Sequence, residues 1–293
     1  MNTIQQFEQH LLADGKAKKT IQSYLADVSS FHRYLQGQGI SQADKINRSH
    51  ITGFRNWMLE QDYKPATVNK AVNSLSSYTT YLVQTGVLPA GPPIVKPKQD
   101  RVKLDSDSEH QVEVFSEAEL EQLLDYVDRE GNLSARDNLI FHFLLYTGCR
   151  VSEMCSIKLA DLDLLLGQVR ILGKGGKIRD VPLRPDLVEK LQLYINGERQ
   201  NSKQNSSPYL LVSQRADKLN RDTVNTVLEK IGTATDLKIY PHKLRHTFCT
   251  RLVQAGIPIT TVSKLAGHAD ISTTANYYIN TSQKDKAQAV ALL

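Results

Sequence analysis

Val169-Arg170-Ile171-Leu172-Gly173-Lys174-Gly175-Gly176-Lys177-Ile178-Arg179-Asp180-Val181-Pro182-Leu183 is the stretch where the periodicity of this chain changes. Val169 and Ile171 alternate with polar residues, and Ile178, Val181 and Leu183 resume an apolar pattern beyond a turn, Gly173-Lys174-Gly175-Gly176. Alternation of this kind belongs to extended chain, whose successive side chains point to opposite faces. Glycines flanking a lysine let the backbone turn tightly and approach a ligand closely. The stretch predicts a β-hairpin with a basic tip, to which Arg170, Lys174, Lys177 and Arg179 contribute.

Outward from the hairpin the periods are helical. Upstream, Ser116 and Glu119 stand at capping-box spacing ahead of Leu120, Leu123, Leu124 and Val127. An apolar helix over residues 139–146 ends at Thr147-Gly148. Downstream, helical periods run from Leu187 to the C-terminus, interrupted by a polar insert at 197–208 that reads as an exposed loop. The first ninety or so residues read as helices alone. Phe7 and Leu11 mark one; Tyr24, Val28, Phe31 and Leu35 a second, with Thr20 as cap. Ile51, Phe54, Trp57 and Met58 follow a cap at Ser49, and Val68, Val72, Leu75, Tyr78 and Leu82 follow an opening at Thr67. Residues 89–111 combine four prolines with charged and polar residues and no apolar period, the composition of a linker. The fold class expected is mainly α: an N-terminal helical domain at 1–95, a linker at 96–113, and a mostly helical domain with a small antiparallel hairpin at 114–293.

Bulk properties narrow the setting. The 293 residues suffice for two cores, and the net charge of +5 favours a polyanionic partner only weakly. A further basic cluster, Lys16, Lys18 and Lys19, precedes a helix. Three cysteines, Cys149, Cys155 and Cys249, leave one over from any disulfide framework and form no CxxC pair. No apolar run approaches the ~20 residues of a membrane span, and the first residues carry no secretory pattern, so a cytoplasmic protein is expected.

Four short strings carry the chemistry, and each alone has a plain structural reading. In Thr147-Gly148-Cys149-Arg150-Val151-Ser152-Glu153, Arg150 falls at a junction of helices, where N–H groups and the helix dipole favour an anion. Its plain reading is a local pair with Glu153. Lys174 at the hairpin tip is the second, and glycine-lysine turns are common on surfaces. In Pro241-His242-Lys243-Leu244-Arg245-His246-Thr247-Phe248, His242 and Arg245 share a helix face, with Pro241 suited to the first turn. Within this string no carboxylate or thiol shares that face, which speaks against a metal site. In Leu265-Ala266-Gly267-His268-Ala269-Asp270-Ile271-Ser272-Thr273-Thr274-Ala275-Asn276-Tyr277-Tyr278, Gly267 ends one helix, and Ser272 or Thr273 can cap the next, which carries Tyr277.

In order and spacing the four strings resemble the tyrosine recombinase (phage integrase) family, over residues 116–278. The N-terminal helices are similar to that family's core-binding domain only in length and pattern. The resemblance implies a site-specific recombinase that cleaves and rejoins DNA through a covalent 3′-phosphotyrosyl intermediate. It makes Arg150 and Arg245 the phosphate-clamping arginines, Lys174 the hairpin lysine, and His242 and His268 the active-site histidines. Tyr277, nine residues after His268, becomes the nucleophile, and Glu153 a supporting acidic position.

These residue types suit the reaction. Arginines present charged planar forks to a phosphate that gains charge in the transition state. Tyrosine needs a base at neutral pH, for which His242 is the candidate; Lys174 is suited to protonating the departing 5′-oxygen, and His268 to bonding a non-bridging oxygen. Neither metal nor organic cofactor is required. The implied partner is double-stranded DNA at specific recombination sites, engaged by a homotetramer, with no membrane. The apolar tail, Ala287, Val290, Ala291, Leu292 and Leu293, is suited to docking on a neighbour or on its own domain. Two other readings stand beside this one: a non-catalytic DNA-binding regulator of the same fold, and a type IB topoisomerase.

Overall fold

The computed structural model describes residues 3–102 and 113–268, with the main chain alone for Lys174. The chain divides into two compact units, Met1–Glu109 and His110–Leu293.

The first unit is built on α1 (Thr3–Ala13), α2 (Lys18–Gly37), α3 (Arg48–Glu60) and α4 (Pro65–Gln84). The predicted stripes face one another: Phe7, Leu11, Val28, Phe31, Leu35, Ile51, Phe54, Met58, Val68, Leu75, Tyr78 and Leu82 are buried together. Aromatic edges meet faces between Phe7 and Tyr78 and between Phe31 and Phe54. The helix starts differ from the expected caps. Ala17, without a side-chain cap, precedes α2, and Pro65 takes the first position of α4. Asn47 caps α3 instead of Ser49: its Oδ1 accepts from the Ser49 and His50 amides and from the Ser49 hydroxyl. An amide oxygen one residue before the helix reaches those two orphan donors, whereas Ser49 already lies inside the first turn.

The linker begins later than the composition implies. A single turn, α5 (Pro97–Asp100), folds back on the first unit, with Val95 in its core. Asp100, 1% exposed, accepts from Arg48 Nη2 at 2.7 Å, Arg48 Nη1 at 3.1 Å and the Lys96 amide at 2.6 Å. The Asn69 side chain takes both main-chain groups of Val102, accepting at 2.8 Å and donating at 3.1 Å. This attachment is polar and long-range, so no apolar period announces it.

In the second unit, α6 (Glu117–Asp128) starts on the predicted capping box: the Glu119 amide donates to Ser116 Oγ, and the Ser116 amide to Glu119 Oε2. Its central helix, α7 (Ala135–Thr147), is buried on every side from Leu139 to Leu145. One turn, α8 (Val151–Met154), leads to an antiparallel sheet of order β1 (Leu162–Asp163), β2 (Gln168–Leu172) and β3 (Ile178–Pro182). The predicted hairpin is β2–β3, with Val169 opposite Val181 and Ile171 opposite Arg179. Val169, Ile171 and Val181 are buried, but Ile178 is 62% exposed opposite Leu172, because the tip projects past the core. Then come α9 (Pro185–Tyr194), α10 (Arg221–Thr235), α11 (Pro241–Gln254) and α12 (Ile259–Ala266).

The polar insert at 197–208 is more than an exposed loop. Arg199, 4% exposed, donates to the carbonyls of Asn205, Ser207, Tyr209 and Leu210, so the loop wraps a buried guanidinium. Five donors in a planar fork satisfy carbonyls that apolar side chains would leave unpaired. Among the described residues no helix is long and apolar enough to cross a membrane.

Candidate active site

The site begins where α7 stops. Gly148 adopts φ +58°, and a Cβ there would strike the Phe248 ring, so only glycine permits both the left-handed turn and the close approach of α11. The turn delivers Arg150 to the N-cap of α8. That helix has four residues, and the Arg150 amide donates to Glu153 Oε2 at 3.0 Å. The helix N-terminus is therefore already occupied by a carboxylate, and any anion must be met by side chains.

Three guanidinium groups surround that carboxylate's neighbourhood. Arg150 Nη1 donates to Glu153 Oε1 at 2.8 Å and to the Gly267 carbonyl at 3.1 Å, while a third of the side chain remains exposed. The local pair with Glu153 thus exists, and it orients the arginine without hiding it. Arg179 Nη2 donates to Glu153 Oε2 at 2.7 Å, and its Nε to the Leu265 carbonyl at 2.9 Å. Burial pushes the Glu153 carboxyl up, but the bonds from Arg179 and Arg150 outweigh it and hold the group below the usual carboxylate range. Arg245 is 3% exposed, with Nη1 on the Gly148 carbonyl at 2.7 Å. Its Nη2 is buried and has no hydrogen-bond partner among the described residues. Burial and then the charge of Arg150 pull the Arg245 guanidinium below its ordinary value. Three cations against one carboxylate leave a local excess that an anionic ligand would relieve.

Histidines line the same region. His242 lies in the first turn of α11, behind Pro241, and is exposed. Its ring lies 6.1 Å from that of His246, at 31°. His268 follows Gly267, whose φ of +67° caps α12, and the His268 amide donates to the Ser263 carbonyl. Burial, then Arg245 and Arg150, lower His268 to about 4. The same causes in the same order lower His242. Both rings are therefore neutral at neutral pH: His242 can accept a proton, and His268 carries one N–H to donate.

The His268 shift has a stability consequence. Its folded pKa lies below the unfolded value, so the unfolded chain binds more protons between about pH 6.5 and 4. Stability contributed by the neutral ring is complete above that window and is lost as pH falls through it. We expect His268→Gln to flatten the fall in melting temperature between pH 6.5 and 4; an unchanged slope would show that the ring titrates normally. The slope at stake is at most about 1.4 kcal/mol per pH unit.

Of the remaining sequence-predicted residues, Lys174 stands in the β2–β3 turn, with Gly175 and Gly176 at φ +76° and +77°. The root of that turn adjoins the arginine cluster: a Cβ on Gly173 would lie 3.5 Å from Arg179 Nη1 and 3.6 Å from Glu153 Oε1. Tyr277, Tyr278 and the apolar tail at 284–293 lie outside the described residues. Arg150, His242, Arg245 and His268 thus share one electrostatic neighbourhood, with the Lys174 turn at its edge. Sequence reasoning placed Arg179 in the basic hairpin cluster without a role in the site, and gave His246 none. Arg179 had a signal: it shares the strand face of buried Val181, an unusual place for a charge. His246 stands one turn from His242. The cysteines are buried, with thiols raised to about 12 at Cys149 and about 11 at Cys155 and Cys249. Desolvation is the largest cause in each, which removes them as nucleophiles. Among the described residues, no three His, Cys, Asp or Glu group to hold a metal.

Residues 113–284 match the phage integrase family, and residues 4–86 match the phage integrase N-terminal SAM-like domain. The chain belongs to the phage integrase family. It is a tyrosine recombinase, an enzyme that cleaves and rejoins DNA. Among its relatives, tyrosine recombinase XerD of Oceanobacillus iheyensis is 32% identical over 90% of this chain and 88% of its own length. The TnP I resolvase of Bacillus thuringiensis is 29% identical over the full length of both. In fold, this recombinase is similar to XerH site-specific recombinase bound to palindromic difH substrate, with TM-score 0.76, 22% identity and coverage of 92% of this chain and 78% of that one. It is likewise similar to the Tn1549 transposon integrase in complex with transposon right end DNA, with TM-score 0.74, 20% identity and coverage of 100% and 99%.

Proposed function

We propose that this recombinase acts at specific duplex sites through a 3′-phosphotyrosyl bond to Tyr277, in integration and excision or in resolution of a mobile element or replicon. The observation that carries this reading is the buried, half-partnered guanidinium of Arg245 beside the partly exposed Arg150 and two neutral histidines. Arg150 and Arg245 would hold the non-bridging oxygens of the scissile phosphate, and His268 would donate its single N–H to one of them. The arginines disfavour a charged His242 in the free protein. A bound phosphate cancels part of that field, so His242 becomes a better acceptor for the Tyr277 proton when substrate is in place. Lys174 at the hairpin tip would protonate the 5′-oxygen as it leaves. Tyrosine then carries the DNA 3′-phosphate, and attack by a new 5′-hydroxyl reverses the step with the same groups.

The remainder of the reading follows from the reaction. Residues 1–95 would serve as core-binding domain and residues 114–293 as catalytic domain, with 96–113 as the linker; the boundary between the two compact units, at 109/110, falls inside that linker. Exchange between two duplexes takes four active sites, hence a cyclic homotetramer on paired sites. Docking of the apolar tail on a neighbour would link the protomers. The reaction would take place in the cytoplasm.

Covalent capture tests the proposal. Denaturing the protein on total DNA of its host, then isolating protein-bound fragments, should yield one recurring duplex sequence joined at its 3′-phosphate to the peptide containing Tyr277. Adducts at scattered sequences would favour the type IB topoisomerase reading, and no adduct at all the non-catalytic regulator.

A further inference from the structure

Arg179 belongs to the hairpin, yet its side-chain hydrogen bonds go to other elements. Its Nη2 holds Glu153, the carboxylate that in turn holds the Arg150 side chain and amide. Its Nε holds the Leu265 carbonyl at the end of α12, immediately before Gly267 and His268. The packing is close: a Cβ on Gly267 would come within 2.6 Å of Arg179 Nη1. Arg150 closes the circuit with its own bond to the Gly267 carbonyl. The side chain is 13% exposed, too enclosed to rotate into solvent without breaking both contacts.

We propose that Arg179 is a positioning residue that locks three separate parts of the site together: the Lys174 hairpin, the Arg150–Glu153 pair and the His268 turn. It touches no substrate. Its two bonds have different work. The bond to Glu153 keeps that carboxylate ionised, and the bond to Leu265 fixes the turn from which the chain runs on toward Tyr277. Hairpin and turn therefore hold each other in place, so the Lys174 turn and the His268 turn are positioned together. This inference rests on the catalytic reading of Arg150 given above.

The two bonds can be separated by substitution. Glu153 is faced by Arg150, Arg179 and Arg245, by the Cys149 thiol and by the main chain of the hairpin root at Gly173. Among the groups that lower its carboxyl, Arg179 acts most strongly, against burial that raises it. In Arg179→Met the strongest opposition to burial is lost, so the carboxyl rises and is protonated at a higher pH than before, which loosens its hold on Arg150. Arg179→Lys retains a cation near Glu153 but cannot reach both acceptors, since one ammonium replaces a planar fork.

Single-turnover cleavage of the duplex recovered by covalent capture, made as a nicked suicide substrate, is measured from pH 5 to 9 with the full chain. The expected result for Arg179→Met is a plateau at least tenfold below that of the unsubstituted protein and an acid limb displaced upward by one pH unit or more. For Arg179→Lys, a lowered plateau with the limb near its original position is expected. DNA affinity should change less than threefold in both. A plateau and limb unchanged in Arg179→Met would overturn the proposal. So would a uniform loss of rate that parallels a loss of binding and of melting temperature with no movement of the limb, since that is a folding defect. Arg150→Ala serves as the control: if it cleaves normally, the catalytic reading itself fails, whereas loss in Arg150→Ala with no effect at Arg179 removes only the inference.

Discussion

Tyr277→Phe should form no covalent adduct with a suicide substrate while binding the same duplex within about threefold of the unsubstituted protein. The hydroxyl is the proposed nucleophile, and no neighbouring group replaces it in an in-line displacement. Affinity comes from elsewhere. Phosphate contacts by arginine and lysine dominate binding to a duplex, and deleting one oxygen alters none of them. Loss of cleavage should therefore be complete within detection, at least four orders of magnitude, with salt dependence of binding unchanged. Tyr278 is the internal control, because the two tyrosines are adjacent and only one can lie in line with the scissile bond. Adduct formation by Tyr277→Phe together with none by Tyr278→Phe would move the nucleophile by one residue and leave the rest of the site intact.

What the sequence displays of this site depends on how local each determinant is. Gly148 and Gly267 end helices at left-handed turns, and Arg150 and His268 follow them within two residues, so both positions were legible. The β2–β3 hairpin was legible because alternation and a glycine turn are local signals. Arg179 was visible as one charge in a basic cluster, but its partners lie 26 residues upstream at Glu153 and 86 downstream at Leu265. No period connects such distances. The same holds in the first unit, where Asp100 finds Arg48 across 52 residues and turns apparent linker into structure. Apolar stripes reveal cores; polar attachments between distant segments leave no comparable mark.

Arg245 offers the sharpest separation of stability from activity. Its guanidinium is 3% exposed, has one nitrogen on the Gly148 carbonyl and another without a partner among the described residues, and shares the charge sign of Arg150 and Arg179. A group that served the fold alone would be paired with a carboxylate or satisfied, as Arg199 is by four carbonyl groups. Replacement by methionine removes the desolvated charge and the unpaired donor, which together oppose folding by roughly 1–4 kcal/mol, and forfeits one hydrogen bond worth about 1–3 kcal/mol. The two nearly offset, so Arg245→Met should keep its melting temperature within a few degrees or raise it. Cleavage should nonetheless fall by about 10²–10³ or more, the scale for losing a preorganised donor to the transition state. Arg245→Lys should also fail, because a single ammonium cannot hold the Gly148 carbonyl and a phosphate oxygen at once. Thermal unfolding and single-turnover cleavage measured on the same preparations decide the matter. If Arg245→Met loses stability and activity in parallel, the arginine is a structural strut, and the phosphate must be met by Arg150 and the hairpin instead.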